Sequence, residues 1–325
     1  MGKGTLSGMR GDGQPRVWVL IVNWNARQEL LNCLASIARS ELSPARVMVV
    51  DNGSTDGSVA AVASHYPETM VIPLKENLGF ARANNIGAER FLANPEATHL
   101  FLLNNDAVVA EDTLTRLLEA TVRRLRIGAV APKIYYLDDP TRLWYAGGAM
   151  DWKQGTARHR GMGQVDRGQF DAAQPVTFAT GCGLLLCREA VEEVGLFDPR
   201  YFFFAEDLDL CLRLQAAGYL VWYAPQAILW HEVGHSTGRR GGAFIYYHMT
   251  RNRLLTMHNH ARWHHWLQFA AYFPLLWGWK ALQALFWGEL GVWRGMWRGA
   301  SDFVAGRFER RVPRHVEGVD YEANL

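Results

Sequence analysis

Leu100-Phe101-Leu102-Leu103-Asn104-Asn105-Asp106-Ala107-Val108-Val109 is an apolar run that stops in three short polar residues. Leu and Phe without polar alternation suit a strand covered on both faces. A carboxylate at the C-terminal end of such a strand stands where open α/β sheets hold their ligands. Asp106 placed there can hold a hard cation that in turn holds phosphates. Asn and Asp also favour turns for local reasons, and a turn is the plainer reading of Asn104 to Asp106 taken alone.

Upstream the chain repeats the pattern. Arg16 to Val22 is a second apolar run ending in Asn23-Trp24-Asn25, followed by a helical period from Arg27 to Arg39 with Leu30, Leu31, Leu34 and Ile37 on one face. Arg46 to Val50 ends in Asp51-Asn52-Gly53-Ser54, and a helix follows from Ser58. Met70 to Pro73 is a short strand, Asn77-Leu78-Gly79-Phe80 a loop, and Ala81 to Leu92 a helix. Strands alternating with helices, each strand ending in polar residues, predict a mostly parallel α/β sheet flanked by helices. No Gly-x-Gly-x-x-Gly follows the first strand and no phosphate-loop Lys is present, which excludes those two nucleotide fingerprints.

In a parallel sheet the polar tips share one edge, so they are expected to line one pocket. Trp24 offers a stacking face for a base, and Asp51 is an acceptor suited to the imide N–H of a pyrimidine. Asn77, Arg82 and Asn84 add donors and one positive charge, and Asp106 supplies a metal ligand.

Downstream, Glu111 to Arg126 reads as a helix and Ile127 to Ile134 as a strand. Residues 138–175 are rich in Gly, Asp and Arg and read as hairpins or a mobile loop over the site. In Thr180-Gly181-Cys182-Gly183 the glycines let backbone approach a ligand closely. Tyr201-Phe202-Phe203-Phe204-Ala205-Glu206-Asp207-Leu208-Asp209 sets aromatics before three carboxylates that open a helix. Acidic residues in a first turn also serve the helix dipole. An apolar wall raises a carboxylate pKa, however, and that suits a general base. Two extended pieces, Tyr219 to Tyr223 and Pro225 to Leu229, lead to Trp230-His231, and His231 is a candidate to complete the metal site. His231 and His235 stand at helical metal spacing, but Gly234 between them argues against a helix.

The chain has 325 residues, 49% of them hydrophobic and 20% charged, which indicates a globular protein with a sizeable core. A net charge of +2 argues against nucleic acid as the main partner. The four Cys lack zinc-site spacing and read as reduced core thiols of a cytosolic protein. Residues 1–15 hold no apolar stretch of signal-peptide type and read as a disordered lead-in.

Taken in order, Val22-Asn23-Trp24-Asn25, Val50-Asp51-Asn52-Gly53-Ser54, Asn77-Leu78-Gly79-Phe80, Leu103-Asn104-Asn105-Asp106, Gly195-Leu196-Phe197-Asp198, Ala205-Glu206-Asp207-Leu208-Asp209-Leu210 and His231 resemble the inverting glycosyltransferases of family 2, with the GT-A fold. The resemblance covers roughly residues 16–260. It is nearest to the rhamnosyltransferase-like branch that builds bacterial surface polysaccharides. It implies a nucleotide site made of Asn23, Trp24, Asn25, Asp51, Asn52, Ser54, Asn77, Gly79, Arg82, Asn84 and Asn105. It implies a Mg²⁺ or Mn²⁺ ion on Asp106 and His231, with Asn104 standing where the family's Asp-x-Asp motif has its first Asp. Asp207 is the implied general base and Glu206 its orienting neighbour. Gly181 and Cys182 are placed on the acceptor or sugar side, and Asp209 either there or in a pairing within its helix. The implied donor is a dTDP- or UDP-sugar, with dTDP-rhamnose first and UDP-hexose or galactose as alternatives. The implied acceptor is a lipid-linked glycan. A nucleotidyltransferase or a non-catalytic scaffold are the rival readings.

The implied catalytic domain spans residues 16–245, with a nucleotide half to 110 and an acceptor half after it. Seven of the thirteen Trp fall between Trp263 and Trp297. With Arg294 and Arg298 they read as interfacial helices over 246–300 that rest on the cytoplasmic face of the membrane. A homodimer interface is the alternative. Pro274 and Lys280 are expected to cut the apolar run short of a span, and residues 301–325 read as a polar tail.

Overall fold

The computed structural model describes residues 15–122, 125–232, 242–287 and 290–308. The lead-in before Pro15, His235 and most of the tail expected after residue 300 lie outside them.

The first four strands are β1 (Val17–Asn23), β2 (Arg46–Asp51), β3 (Met70–Pro73) and β4 (His99–Asn104). Helices α1 (Arg27–Ala38), α2 (Ser58–His65) and α3 (Phe80–Leu92) connect them. They pair in parallel in the order β4-β1-β2-β3, within a residue or two of the sequence reading. The cause is local. Leu100 to Leu103 are all buried in β4, each such side chain contributing roughly 1.5–3 kcal/mol. In α1, Leu30, Cys33, Leu34 and Ile37 fall on one face and are buried.

The second half departs from a plain alternation. It holds β5 (Ala107–Val109), α4 (Thr113–Thr121), β6 (Ile127–Tyr136), β7 (Leu143–Tyr145), β8 (Gly148–Asp151), β9 (Thr156–His159), β10 (Gln174–Val176), β11 (Gly183–Cys187), α5 (Arg188–Val194), α6 (Glu206–Ala216) and β12 (Leu220–His231). The full order is β10-β12-β6-β11-β4-β1-β2-β3. β11 runs antiparallel to both β4 and β6, while β12 runs parallel to β6. The two extended pieces expected around Pro225 are one strand, whose register with β6 shifts between Ala224 and Ile228. That irregularity takes up Pro225, which cannot donate to a ladder. Residues 148–159 form the β8–β9 hairpin.

Asn105 and Asp106 make the tight turn between β4 and β5, so the turn reading and the site reading describe the same residues. β5 pairs antiparallel with the end of β12, with His231 opposite Ala107. This pairing brings His231 beside Asp106 across more than a hundred residues of chain.

The C-terminal helices are α7 (Gly242–His260), α8 (Trp263–Trp287) and α9 (Leu290–Val304). α7 runs across the boundary expected at 245 and is packed in, with Arg251, Asn252 and Thr256 almost wholly buried. α9 packs closely on α7, and a β-carbon on Gly295 would lie 2.3 Å from the Ala243 carbonyl oxygen. Asp302 accepts a hydrogen bond from the Tyr247 hydroxyl at 2.9 Å, so the first residues of the expected tail are helical. α8 continues through Pro274. Its Phe269, Phe273 and Trp277 stack inward in a ladder that reaches Trp297 of α9. Its other face leaves Leu267, Leu275, Trp279 and Phe286 more than half exposed. Among the described residues no helix is long and apolar enough to cross a membrane.

Candidate active site

The strand ends of β1, β2 and β4, the end of β12, the β8–β9 hairpin and the start of α6 surround one cavity of about 970 Å³. From the residues singled out in sequence, Trp24, Asn25, Asn52, Asn77, Gly79, Asn105, Asp106, Gly181, Cys182, Glu206, Asp207 and His231 line it.

Six of the expected site residues, Asn23, Asp51, Ser54, Arg82, Asn84 and Asp209, stand behind or beside that lining. Asp51 is buried, one carboxylate oxygen accepting from Asn23 Nδ2 at 3.1 Å and the other from the Ser54 backbone N–H at 2.9 Å. Asn23 accepts in turn from Asn105 Nδ2 at 2.8 Å. Asn23, Asp51 and Ser54 therefore brace the strand tips from behind, because a buried carboxylate must be hydrogen-bonded and the nearest donors are its neighbours. Asn84 donates to the Phe80 carbonyl one turn earlier, and Arg82 is exposed on α3. Asp209 pairs with Arg213 at 2.7 Å and with His260 at 2.7 Å. Burial raises its pKa, but those two partners outweigh burial and lower it. Asp209 thus ties α7 to α6.

On one wall Asn52 donates to Asn77 Oδ1 at 3.0 Å and accepts from the Leu78 N–H at 2.8 Å, which fixes the loop before α3. Gly79 takes φ +85°, and a β-carbon there would meet the Phe202 ring at 2.5 Å. Glycine alone lets this loop close against the aromatic segment.

In another corner, Asp106 Oδ1 lies 3.1 Å from His231 Nε2, and both side chains are about one-tenth exposed. Asn104 Nδ2 is 3.4 Å from the same nitrogen. Burial opposes a charge on His231, but Cys182 and Asp106 beside it raise its pKa well above the ordinary imidazole value. The carboxylate oxygen and ring nitrogen converge at the cavity wall, and His231 Nδ1 is buried with no hydrogen-bond partner among the described residues. They fit two of the six or more ligands that a hard cation takes. Among the described residues no third His, Cys, Asp or Glu completes a metal cluster. The other positions would fall to a bound diphosphate and water.

Asp207 stands at the first turn of α6. Its Oδ2 accepts from the Gly181 N–H at 3.1 Å and its Oδ1 from the Leu208 N–H at 2.8 Å. Burial raises its pKa, partly offset by those backbone donors. Glu206 is buried beside it, and burial together with the Asp207 charge raises its pKa well above the usual carboxylate value. Glu206 Oε2 has no hydrogen-bond partner among the described residues. Burial and the Asp207 charge favour the protonated form of Glu206, while the Gly181 and Leu208 N–H groups favour the carboxylate form of Asp207.

The turn that aims Asp207 is strained. Phe204 and Ala205 have φ of +69° and +68°, which costs non-glycine residues roughly 1–3 kcal/mol each. Asn252 of α7, fully buried, donates to the Phe203 and Phe204 carbonyls at 2.8 Å each. Two such bonds, at about 1 kcal/mol apiece, offset much of that strain. Asn252 lines the cavity together with Met249 and Arg253, as do Trp144 and His159 of the hairpin region. Sequence reasoning missed all five. The polar triplet Arg251-Asn252-Arg253 inside an otherwise mixed helix was the only available signal, and nothing local marks Trp144 or His159.

A family model described as "Glycosyltransferase like family 2" matches residues 15–263. The chain is 30% identical over 268 residues to an N-acetylglucosaminyl-diphospho-decaprenol L-rhamnosyltransferase of Mycobacterium tuberculosis, covering 75% of this chain and 85% of that one. It is 24% identical over 243 residues to a dTDP-rhamnosyl transferase of Shigella flexneri, covering 75% and 78%. A mannosyltransferase of Pyrobaculum calidifontis, solved in complex with GDP-Man and Mn²⁺, superposes with a TM-score of 0.54 at 18% identity over 90% of this chain and 88% of that one. That likeness is one of fold, which is GT-A as expected.

Proposed function

Because the chain belongs to the glycosyltransferase-like family 2 and is a glycosyltransferase, we propose that it transfers L-rhamnose from dTDP-rhamnose to a hydroxyl of a lipid-linked glycan, with inversion at the anomeric carbon. Two relatives named for rhamnosyl transfer support the sugar, and one named for a diphospho-decaprenol acceptor supports the lipid. The observation that carries the reading is the single cavity. It holds an Asp106–His231 corner, a Trp24 face with Asn52 and Asn77, and a buried Asp207.

In this reading Asp207 takes the proton from the attacking hydroxyl while the bond to the leaving diphosphate breaks. The N–H groups of Gly181 and Leu208 hold the Asp207 oxygens in place. The protonated Glu206 leaves one negative charge beside the acceptor instead of two. Trp24 stacks on the base, and Asn52 and Asn77 shape the loop beside it. A divalent cation on Asp106 and His231, when bound, neutralises charge on the leaving diphosphate. No covalent sugar–enzyme intermediate is needed. The direct test is thermal stabilisation by dTDP or UDP with Mn²⁺. A nucleotide at about 100 times its Kd stabilises by roughly 2.7 kcal/mol, a shift of several degrees. No shift with either nucleotide would leave a scaffold as the better reading.

The exposed faces of α8 and α9 carry Leu267, Leu275, Trp279, Phe286 and Trp297, with Arg294 and Arg298 exposed on α9. We place this surface on the cytoplasmic face of the membrane, where the lipid-linked acceptor is presented. Cosedimentation with anionic vesicles is expected to weaken about 100-fold in the double variant Trp279→Ser, Phe286→Ser. Unchanged vesicle binding, with dimers of the wild type dissociating in the variant, would make the surface a homodimer interface instead.

A further inference from the structure

Arg253 projects from α7 into the cavity, and its Nε is buried with no hydrogen-bond partner among the described residues. Burial lowers its pKa, as befits a cation short of a counter-charge. The nearest acid that acts on it, Asp151, is engaged by Arg158 at 2.5 Å. Its guanidinium carbon lies 5.8 Å from the centre of the Phe273 ring of α8. An enclosed guanidinium with an idle donor suits an anion with planar or bidentate oxygens.

The position stands apart from the corner where the donor's diphosphate would lie. A β-carbon on Gly155 would lie 2.9 Å from Arg253 Cγ. Gly155 closes the turn just before β9, and at the other end of β9 His159 packs on Trp144 at 4.7 Å between ring centres, and Trp144 packs on His231 at 4.5 Å. A strand rises about 3.3 Å per residue, so Thr156 and His159 are about 10 Å apart. Arg253 therefore sits at the far end of the hairpin from the Asp106–His231 corner, and next to the apolar helix α8. Arg158, more than half exposed, also lines the cavity, and its pairing with Asp151, which stands opposite Thr156, carries its guanidinium back towards the Gly155 end.

We propose that Arg253, with Arg158 beside it, forms a second anion subsite that takes the diphosphate of a lipid-linked acceptor, the lipid running out along α8. This rests on the lipid-linked acceptor of the proposed function. The acceptor's sugar then lies between the two anion sites, with Asp207 at the hydroxyl and Arg253 at the diphosphate.

The test uses the full chain, saturated with dTDP or UDP and Mn²⁺, and decyl diphosphate against decanol by titration calorimetry. Decyl diphosphate is expected to bind at least ten-fold more tightly than decanol. Arg253→Gln is expected to abolish that preference, Arg253→Lys to keep part of it, and both to bind nucleotide like the wild type. Equal preference in wild type and Arg253→Gln would overturn the proposal. So would competition between decyl diphosphate and the nucleotide, which would put the ligand in the donor corner, and so would loss of nucleotide binding in both variants. A wild type that binds no nucleotide but binds decyl diphosphate through Arg253 would sink the donor reading alone.

Discussion

Asp207→Asn is expected to lower turnover by about 10³-fold, within the range seen when a positioned base is lost, while leaving nucleotide binding unchanged. Asn keeps the shape and can still accept, through its one amide oxygen, from one of the Gly181 and Leu208 N–H groups that hold the carboxylate. It cannot take a proton. Because burial raises the Asp207 pKa, the wild-type rate should climb with pH through a midpoint above the model-peptide value of about 3.9. Below that midpoint Asp207 is protonated and idle, above it the base is free, and the limb should vanish in Asp207→Asn. A variant that transfers normally, or a wild-type rate flat down to pH 4, would remove Asp207 from the role of base.

The second large effect is expected at the other end of the donor. Asp106→Ala should weaken nucleotide-diphosphate binding in Mn²⁺ by at least about 100-fold, since losing a ligand costs no less than losing its supporting partners. Binding without metal should change little. His231→Ala should act in the same direction, because the two side chains face each other at 3.1 Å and no third candidate ligand joins them among the described residues. With so few protein ligands, loss of either one leaves the cation mostly to the diphosphate and water. Metal-dependent binding that survives Asp106→Ala would mean that the cation is held elsewhere.

Much of this was legible from local pattern. The four parallel strands, their polar tips and the acidic start of α6 follow from apolar runs and where they stop, because burial and turn chemistry act over a few residues. What failed was non-local. That β11 inserts antiparallel between β4 and β6, and that β5 pairs with β12 to bring His231 to Asp106, depends on pairings between segments far apart in sequence. The hydrogen bond between the Asn23 and Asp51 side chains joins two strand tips, which periodicity cannot reveal. Asp209 was visible as an acid in a first helical turn. Its ion pair with His260 was not, because it exists only once α7 docks. Asn252 shows the same limit. It reads as an ordinary helix residue until the Phe203–Phe204 carbonyls it holds are in view.

One measurement bears most directly on transfer from a nucleotide sugar with inversion: NMR of the products formed by the full chain from dTDP-L-rhamnose, Mn²⁺ and a synthetic N-acetylglucosaminyl-diphospho-alkyl acceptor. The expected result is a rhamnoside whose anomeric configuration is opposite to the donor's, with dTDP released in equal amount. A product that retains the donor's configuration, or release of pyrophosphate in place of dTDP, would contradict it.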